Sequence, residues 1–305
     1  MNFIVGLLLV LAAAPVPQAR RGLDLEPGEL TVYFTGAVGG ELTSCGCKTD
    51  DYGGLTRRAA YLDTMRATGR EYLALDAGGF MPPGEMNAQK RLKVETLARA
   101  TAIMGYHVIS LGPEDLQHGP ELAAEIVGWL GSPVVATNYD LGAGRSERSR
   151  LVTAGGRKVG VLAFLDEGLA GAAPWLAVEP WGGQAEVVEA LRAEADLVIA
   201  MAQIPDRDAA RRLLDLVPGI DVVVACHGKV FPAEVMDLDG TFVVGTGSQG
   251  RYLGHMEVRL EEDGVKADAV YLPVIKAWGF RPRIDRIVAE YNRKVKELIF
   301  SDEMD

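Results

Sequence analysis

Sulfur and imidazole are scarce in this chain: 305 residues carry three cysteines and four histidines. Three cysteines allow one intramolecular disulfide at most, which excludes a disulfide-stapled scaffold. Positive charge is short as well, with 31 Lys and Arg against 42 Asp and Glu and a formal net charge of −11. The pairs Arg20-Arg21, Arg57-Arg58 and Arg211-Arg212 are too scattered to make a basic stripe. Nucleic acid is therefore not an expected partner, and an anionic membrane surface offers no attraction. No internal repeat or low-complexity linker interrupts the chain. What is present, 48% hydrophobic and 24% charged residues, is enough to bury a full core.

The one long apolar run, Phe3 to Ala14, has signal-peptide length and is too short to cross a bilayer as a helix. Residues 1–19 are expected to be a signal peptide or N-terminal apolar segment. The mature chain would then be exported, periplasmic or extracellular, without a transmembrane span. No Lys or Arg precedes the run, and Pro15-Val-Pro-Gln-Ala19 lacks a small-x-small cleavage pattern. An uncleaved interfacial anchor or a misassigned start codon is the competing reading. Export would place the cysteines where thiols pair unless protected.

From residue 28 to 300 the chain reads as one domain, with 301–305 as a tail. Strand and helix signals alternate. Leu30–Phe34, Tyr72–Asp76, His107–Leu111 and Pro133–Thr137 read as strands, with helices over 55–66, 90–104 and 121–130 between them. Gly155-Gly156 reads as the turn of a hairpin joining 150–153 and 159–164. Strands at 196–200 and 221–225 follow helices at 185–194 and 207–216. Runs at 241–245, 253–260 and 267–272 have only turn residues between them and are expected to pair antiparallel. A charged amphipathic helix over 283–299, with Pro282 at its start, ends the pattern. This order predicts an α/β fold with mixed sheets and helices outside.

Two of the cysteines lie in Glu41-Leu-Thr-Ser-Cys-Gly-Cys-Lys48, in the first strand-to-helix loop, and the third, Cys226, stands at another strand end directly before His227. In an open α/β sheet these places share the edge where ligands bind.

The residues also carry a resemblance. Thr31–Leu42, Gly53-Gly-Leu-Thr-Arg-Arg58, Leu75-Asp-Ala-Gly-Gly79, Met104–Gly112, Val134–Asn138, Asp196–Pro205, Asp221–Lys229 and Val243–Gly254 resemble, in order, blocks of the 5′-nucleotidase branch of the calcineurin-like metallophosphoesterases. The resemblance implies a four-layer α/β-β/α sandwich, two mixed β-sheets flanked by helices, with a dinuclear metal site at the strand ends. Carboxylates, an Asn and several imidazoles hold those metals in the family. Carried over block by block, these positions fall on Ala37, Gly39, Gly79, Pro113, Glu114, Gln203, His227 and Lys229. Only His227 keeps the family's residue at its position, so a dinuclear Mn, Fe or Zn site and phosphoesterase activity are not expected. The nucleotide-gripping second domain, which follows the helix over 283–299 in the 5′-nucleotidases, is not expected either.

The cysteine loop resembles that of some exported relatives, which leaves three readings open. Cys45 and Cys47 could form a strained, easily reduced disulfide with a redox role, their thiolates favoured by Lys48, Arg57 and Arg58. Cys45, Cys47, Cys226 and His227 could hold one thiophilic Zn or Cu ion. An ordinary disulfide plus a spare cysteine is the third. A redox or protein partner would lie outside the cytoplasm. The alternative from another class is a non-catalytic pseudo-phosphatase whose old cleft binds an anion or a protein; an active phosphoesterase comes last. Glu114-Asp115 could be paired carboxylates, while Gly36, Gly39, Gly40 and the turn Gly245–Gly250 read as structural.

Overall fold

Alternation along the strands decides which layer each strand face joins. The computed structural model describes residues 25, 27–131, 133–142, 144–227, 235–262 and 264–302. In chain order the elements are β1 (Leu30–Thr35), α1 (Leu55–Ala67), β2 (Tyr72–Asp76), α2 (Ala88–Met104), β3 (Val108–Ile109), α3 (Pro113–Leu116) and α4 (Pro120–Leu130). They continue with β4 (Arg150–Ala154), β5 (Arg157–Leu165), α5 (Ala185–Arg192), β6 (Leu197–Ile204), α6 (Arg207–Leu216) and β7 (Val222–His227). The last are β8 (Met236–Leu238), β9 (Thr241–Gly245), β10 (Tyr252–Glu261), β11 (Gly264–Pro273) and α7 (Pro282–Asp302). Helix starts follow local chemistry. The Asn87 and Asp206 side chains accept backbone N–H bonds from Lys90 and Ala209 at the heads of α2 and α6.

One sheet runs β11-β10-β1-β2-β3 and the other β4-β5-β6-β7-β9-β8. Val32 and Phe34 of β1 and Leu73 and Leu75 of β2 meet Val161, Ile199, Met201 and Val224 of the second sheet in one core between the sheets. The opposite residues, Tyr33, Tyr72 and Ala74, pack under Leu62 of α1, Leu97 of α2, Ile126 of α4 and Ile284 of α7. On the far side Leu162, Val198 and Ala200 pack with Val188 of α5 and Leu213 of α6. Period-two alternation thus builds four layers, helix–sheet–sheet–helix, as the resemblance implied. Each buried Val, Leu, Ile, Phe or Met side chain among these contributes about 1.5–3 kcal/mol. The inter-sheet core is packed to the backbone: Gly254 of β10 sits opposite Phe34, and a Cβ there would lie 2.2 Å from the phenyl ring.

Some expectations change. The strand at 107–111 shrinks to β3, and 133–137 forms only bridges, because its backbone crosses between sheets: Val135 bonds Ile109, and Thr137 N–H donates to Ala163. The strand over 241–245 does not pair antiparallel with β10. It joins the other sheet, parallel to β7 and antiparallel to β8. The β8–β9 hairpin turns on Asp239-Gly240, both at positive φ, a two-residue signal present in the sequence. The expected signal segment lies outside the described residues. Among those described, no helix is long and apolar enough to cross a membrane.

Candidate functional site

The C-terminal ends of β1, β2, β3, β6 and β7 converge on one edge, and glycine lets the backbone fill it. Ala37 N–H donates to Gly78 O at 2.7 Å and Gly39 N–H to Gly79 O at 2.8 Å. Gly79 has φ +78°, and a Cβ there would stand 2.8 Å from Ala37 Cα. A Cβ on Gly78 would be 2.7 Å from both Gly112 N and Ser110 O. Two side chains complete the filling. Gln203 donates from Nε2 to Ala77 O, and its Oε1 is buried without a partner. Cys226 lies against Gly36, where a Cβ would be 2.9 Å from its sulfur. Burial pushes the Cys226 thiol up to about 11.

The edge also keeps unusual backbone. Ala37, Gln249 and His227 are non-glycine residues at φ +49°, +57° and +82°, and Gln249 N–H donates to Ala37 O. Such conformations cost free energy and cluster at functional sites.

Charge at this edge is organised around α3. His227 Nδ1 is 2.8 Å from Glu114 Oε1. The Glu114 hydrogen bond raises the imidazole above its ordinary value. Burial works to raise Glu114, but bonding to His227 outweighs it and the carboxyl lies below its usual range. Asp115, the neighbour, is fully buried and accepts backbone N–H groups from Gly79, Met81 and Gly112 at 2.7, 2.8 and 2.9 Å. Burial nevertheless lifts it to about 6. Glu114 and Asp115 are therefore not a carboxylate pair: one faces His227, the other holds loops together.

The Cys-Gly-Cys segment forms a separate, exposed loop. A bridge between Ser44 and Gly53 closes it, and Cys45 N–H donates to Tyr52 O at 3.0 Å. Asp51 clamps its interior, accepting from Gly46 N–H at 2.9 Å and from Arg57 at 2.7 Å. The Arg57 bond holds the Asp51 carboxyl at about 2. All three cysteines are free thiols, Cys45 half-buried, Cys47 exposed and Cys226 buried. Cys47 N–H donates to Cys45 Sγ at 3.4 Å. A second bond, between the two thiols, is the main cause that lowers the Cys45 thiol and raises that of Cys47; the Cys47 and Tyr52 backbone N–H groups and Arg251 add to the lowering of Cys45.

Ala37, Gly39, Gly79, Glu114, Gln203, Cys226 and His227 thus meet at one edge, with Pro113 opening α3 beside them. Lys229 lies outside the described residues. The four-ligand set Cys45, Cys47, Cys226 and His227 is not assembled: among the described residues no three His, Cys, Asp or Glu side chains form a metal-ligand group. The reason is that β7 keeps its register with β6 through Cys226, whose sulfur turns into the core, while His227 ends the strand at positive φ and faces out to Glu114. The donor set does not fit one soft ion, and Ala37, Gly39, Gly79 and Pro113 offer no side-chain donor to a dinuclear centre. The cations expected beside the thiols also differ. Arg57 is engaged by Asp51, and Arg58 is buried, its charge acting on Asp76. Arg251, the residue after the turn read as structural, takes that place.

No family model matches the chain, and no curated protein does. Solved structures do match. A 5′-nucleotidase precursor from Thermus thermophilus superposes with a TM-score of 0.71 at 20% identity, covering 88% of this chain and 59% of that one. The sulfate thiohydrolase SoxB of Thermus thermophilus gives 0.75 at 15% identity, covering 90% and 62%. The calcineurin-like phosphoesterase YfkN of Bacillus subtilis gives 0.67 at 14% identity, covering 88% and 98%. The chain thus spans about 60% of the length of the first two. At these identities the likeness is one of fold, and the fold is that of the metallophosphatases, 5′-nucleotidase N-terminal domains among them.

Proposed function

We propose that this chain is an exported dithiol redox protein on a metallophosphatase fold that has given up its dinuclear metal ligands. The observation that carries the redox reading is the Cys45–Cys47 loop. Two free thiols sit two residues apart on a braced, solvent-facing turn, with the Cys47 N–H on the Cys45 sulfur. The asymmetry suits thiol exchange, since a thiolate attacks and a neighbouring thiol resolves. Cys45 would attack an exposed disulfide of a partner outside the cytoplasm and expel one thiolate. Cys47 would then attack the Cys45 sulfur of the mixed disulfide and expel the second. The partner is then reduced by two electrons, and the Cys45–Cys47 disulfide is the oxidised product. Because a strained disulfide is easily reduced, the reverse exchange is favoured. In it a partner thiolate opens the disulfide, a second partner thiolate resolves the mixed disulfide, and the partner is oxidised by two electrons.

Loss of the metal ligands is supported by the donor-free residues at 37, 39, 79 and 113 and, at Gly79, by the Ala37 backbone standing 2.8 Å from where a Cβ would lie. Export rests on the apolar run over 3–14. A pseudo-phosphatase role, with the old cleft binding an anion or a protein, is the second reading, favoured by the His227–Glu114 pair at its rim.

The test is metal analysis with thiol counting on one anaerobically purified sample, repeated for Cys45→Ser and Cys47→Ser. Two thiols that disappear with a mild disulfide oxidant and return together on reduction are expected, and either variant should abolish the pairing. Two equivalents of Mn or Fe with phosphodiester turnover would overturn the reading.

A further inference from the structure

A groove of about 430 Å³ opens between α2, the end of α4 and the first turns of α7. Ala102 and the half-buried Ile103, Trp129 and Ile287 give it an apolar strip, and its rim carries Arg99, Arg283, Arg286 and one carboxylate, Glu290. Beyond Arg99 and Glu290 the helices close to about 10 Å³ of free space. The groove is therefore entered from the Arg283 end.

The charges around it do not cancel. Arg99 pairs with Glu95 at 2.9 Å, and Glu290 pairs with Lys294 at 2.9 Å. Arg91, beyond the groove, lies 5.8 Å from the Trp129 ring centroid and bonds Glu125. Arg283 and Arg286 have no carboxylate partner among the described residues, so two uncompensated guanidinium groups stand at this groove in a chain of net charge −11. They also lie in the first two turns of α7, where the helix dipole disfavours cations. A planar guanidinium matches a carboxylate through paired hydrogen bonds, and apolar walls with a few convergent polar groups are the usual make-up of a ligand groove.

We propose that this groove binds an organic carboxylate with an apolar body, an acyl or aryl acid. Its head lies among Arg283, Arg286 and Arg99, and its body lies on Ile103, Trp129 and Ile287. The site is independent of the cysteine loop and of the strand-end edge.

The test is calorimetric titration of the whole protein with dodecanoate below its micelle concentration, with dodecyl maltoside as the neutral counterpart. One equivalent of dodecanoate should bind, more weakly as salt rises. The R283Q/R286Q double variant, altered only at exposed positions, should keep its melting temperature and bind at least about tenfold more weakly. Ile287→Asn, which keeps the arginines and removes an apolar wall, should weaken binding by a similar factor. Equal affinity in the double variant, or equally tight dodecyl maltoside, would reduce the groove to an apolar patch and overturn the proposal. Unchanged binding in Ile287→Asn would reduce it to surface ion pairing and overturn it as well.

Discussion

Substituting Gly79 by Ala probes whether backbone has closed the strand-end edge. Gly79 has φ +78°, and the new Cβ would stand 2.8 Å from Ala37 Cα and 3.0 Å from Ala37 N. A side chain in the left-handed region costs about 1–2 kcal/mol. Forcing two backbones apart in a packed region adds about 1–3 kcal/mol, as overpacking does elsewhere. Gly69→Ala is the matched control, since Gly69 has φ +74° with nothing within 4 Å of its Cβ position. It carries the conformational cost alone. Urea unfolding by linear extrapolation, with the slopes compared, should place Gly79→Ala about 1–3 kcal/mol below Gly69→Ala. Equal losses would mean that Ala37 yields freely and that the edge has room for a ligand side chain. Gly79→Asp carries the same reasoning to function: it should be at least as destabilised as Gly79→Ala and gain no Mn²⁺ affinity.

Alkylation by iodoacetamide, followed by mass spectrometry across pH, should modify Cys45 at lower pH than Cys47, and Cys47→Ala, which removes the side-chain donor, should shift the Cys45 profile upward; the reverse order would contradict the hydrogen-bond assignment. The His227–Glu114 pair should stabilise the fold most between the ordinary carboxylate and imidazole ranges. Its contribution is complete below the unfolded imidazole value and fades as pH rises through the raised His227 value; at the acid end it fades as Glu114 protonates below its lowered one. The pair is partly exposed, so Glu114→Gln should flatten the stability profile above pH 6 by only about 0.2–1 kcal/mol, and an unchanged profile would remove the pair's role. Gly254→Ala should cost about 1–3 kcal/mol through contact with the Phe34 ring, and Phe34→Leu should lessen that cost; additive losses in a double-mutant cycle would show that the two do not touch.

Much of the architecture was legible because burial of both faces leaves strong marks: Leu197–Ile204 and Val222–His227 are nearly continuous apolar runs, and α7 announces itself with Pro282. The partner of β9 was not legible, because turn residues before and after it suit either sheet; Asp239-Gly240 was the overlooked clue that it turns back from β8. The gathering of Ala37, Gly79, Gln203 and His227 followed from the family resemblance, whose ligand positions fall on these residues. The separation of Cys226 from Cys45 and Cys47 did not, since it depends on the β6–β7 ladder continuing through Gln203–Cys226 and Ile204–His227. Arg251 was missed for the same reason: its neighbourhood to the thiols is set by how the 245–251 turn folds against the 44–53 loop.

The burial of Cys226 gives the molecule a clock of its own. Its sulfur is wedged between Gly36 and Thr246, and its thiol is held in the protonated form at neutral pH. A maleimide or aromatic disulfide reagent can reach it only when the two sheets part at that end. In a Cys45→Ser/Cys47→Ser background, labelling then counts openings of the edge. Where reclosing outpaces labelling, the rate divided by that of the unfolded chain gives the free energy of opening directly. Repeating the measurement with candidate partners would show which of them hold the sheets shut.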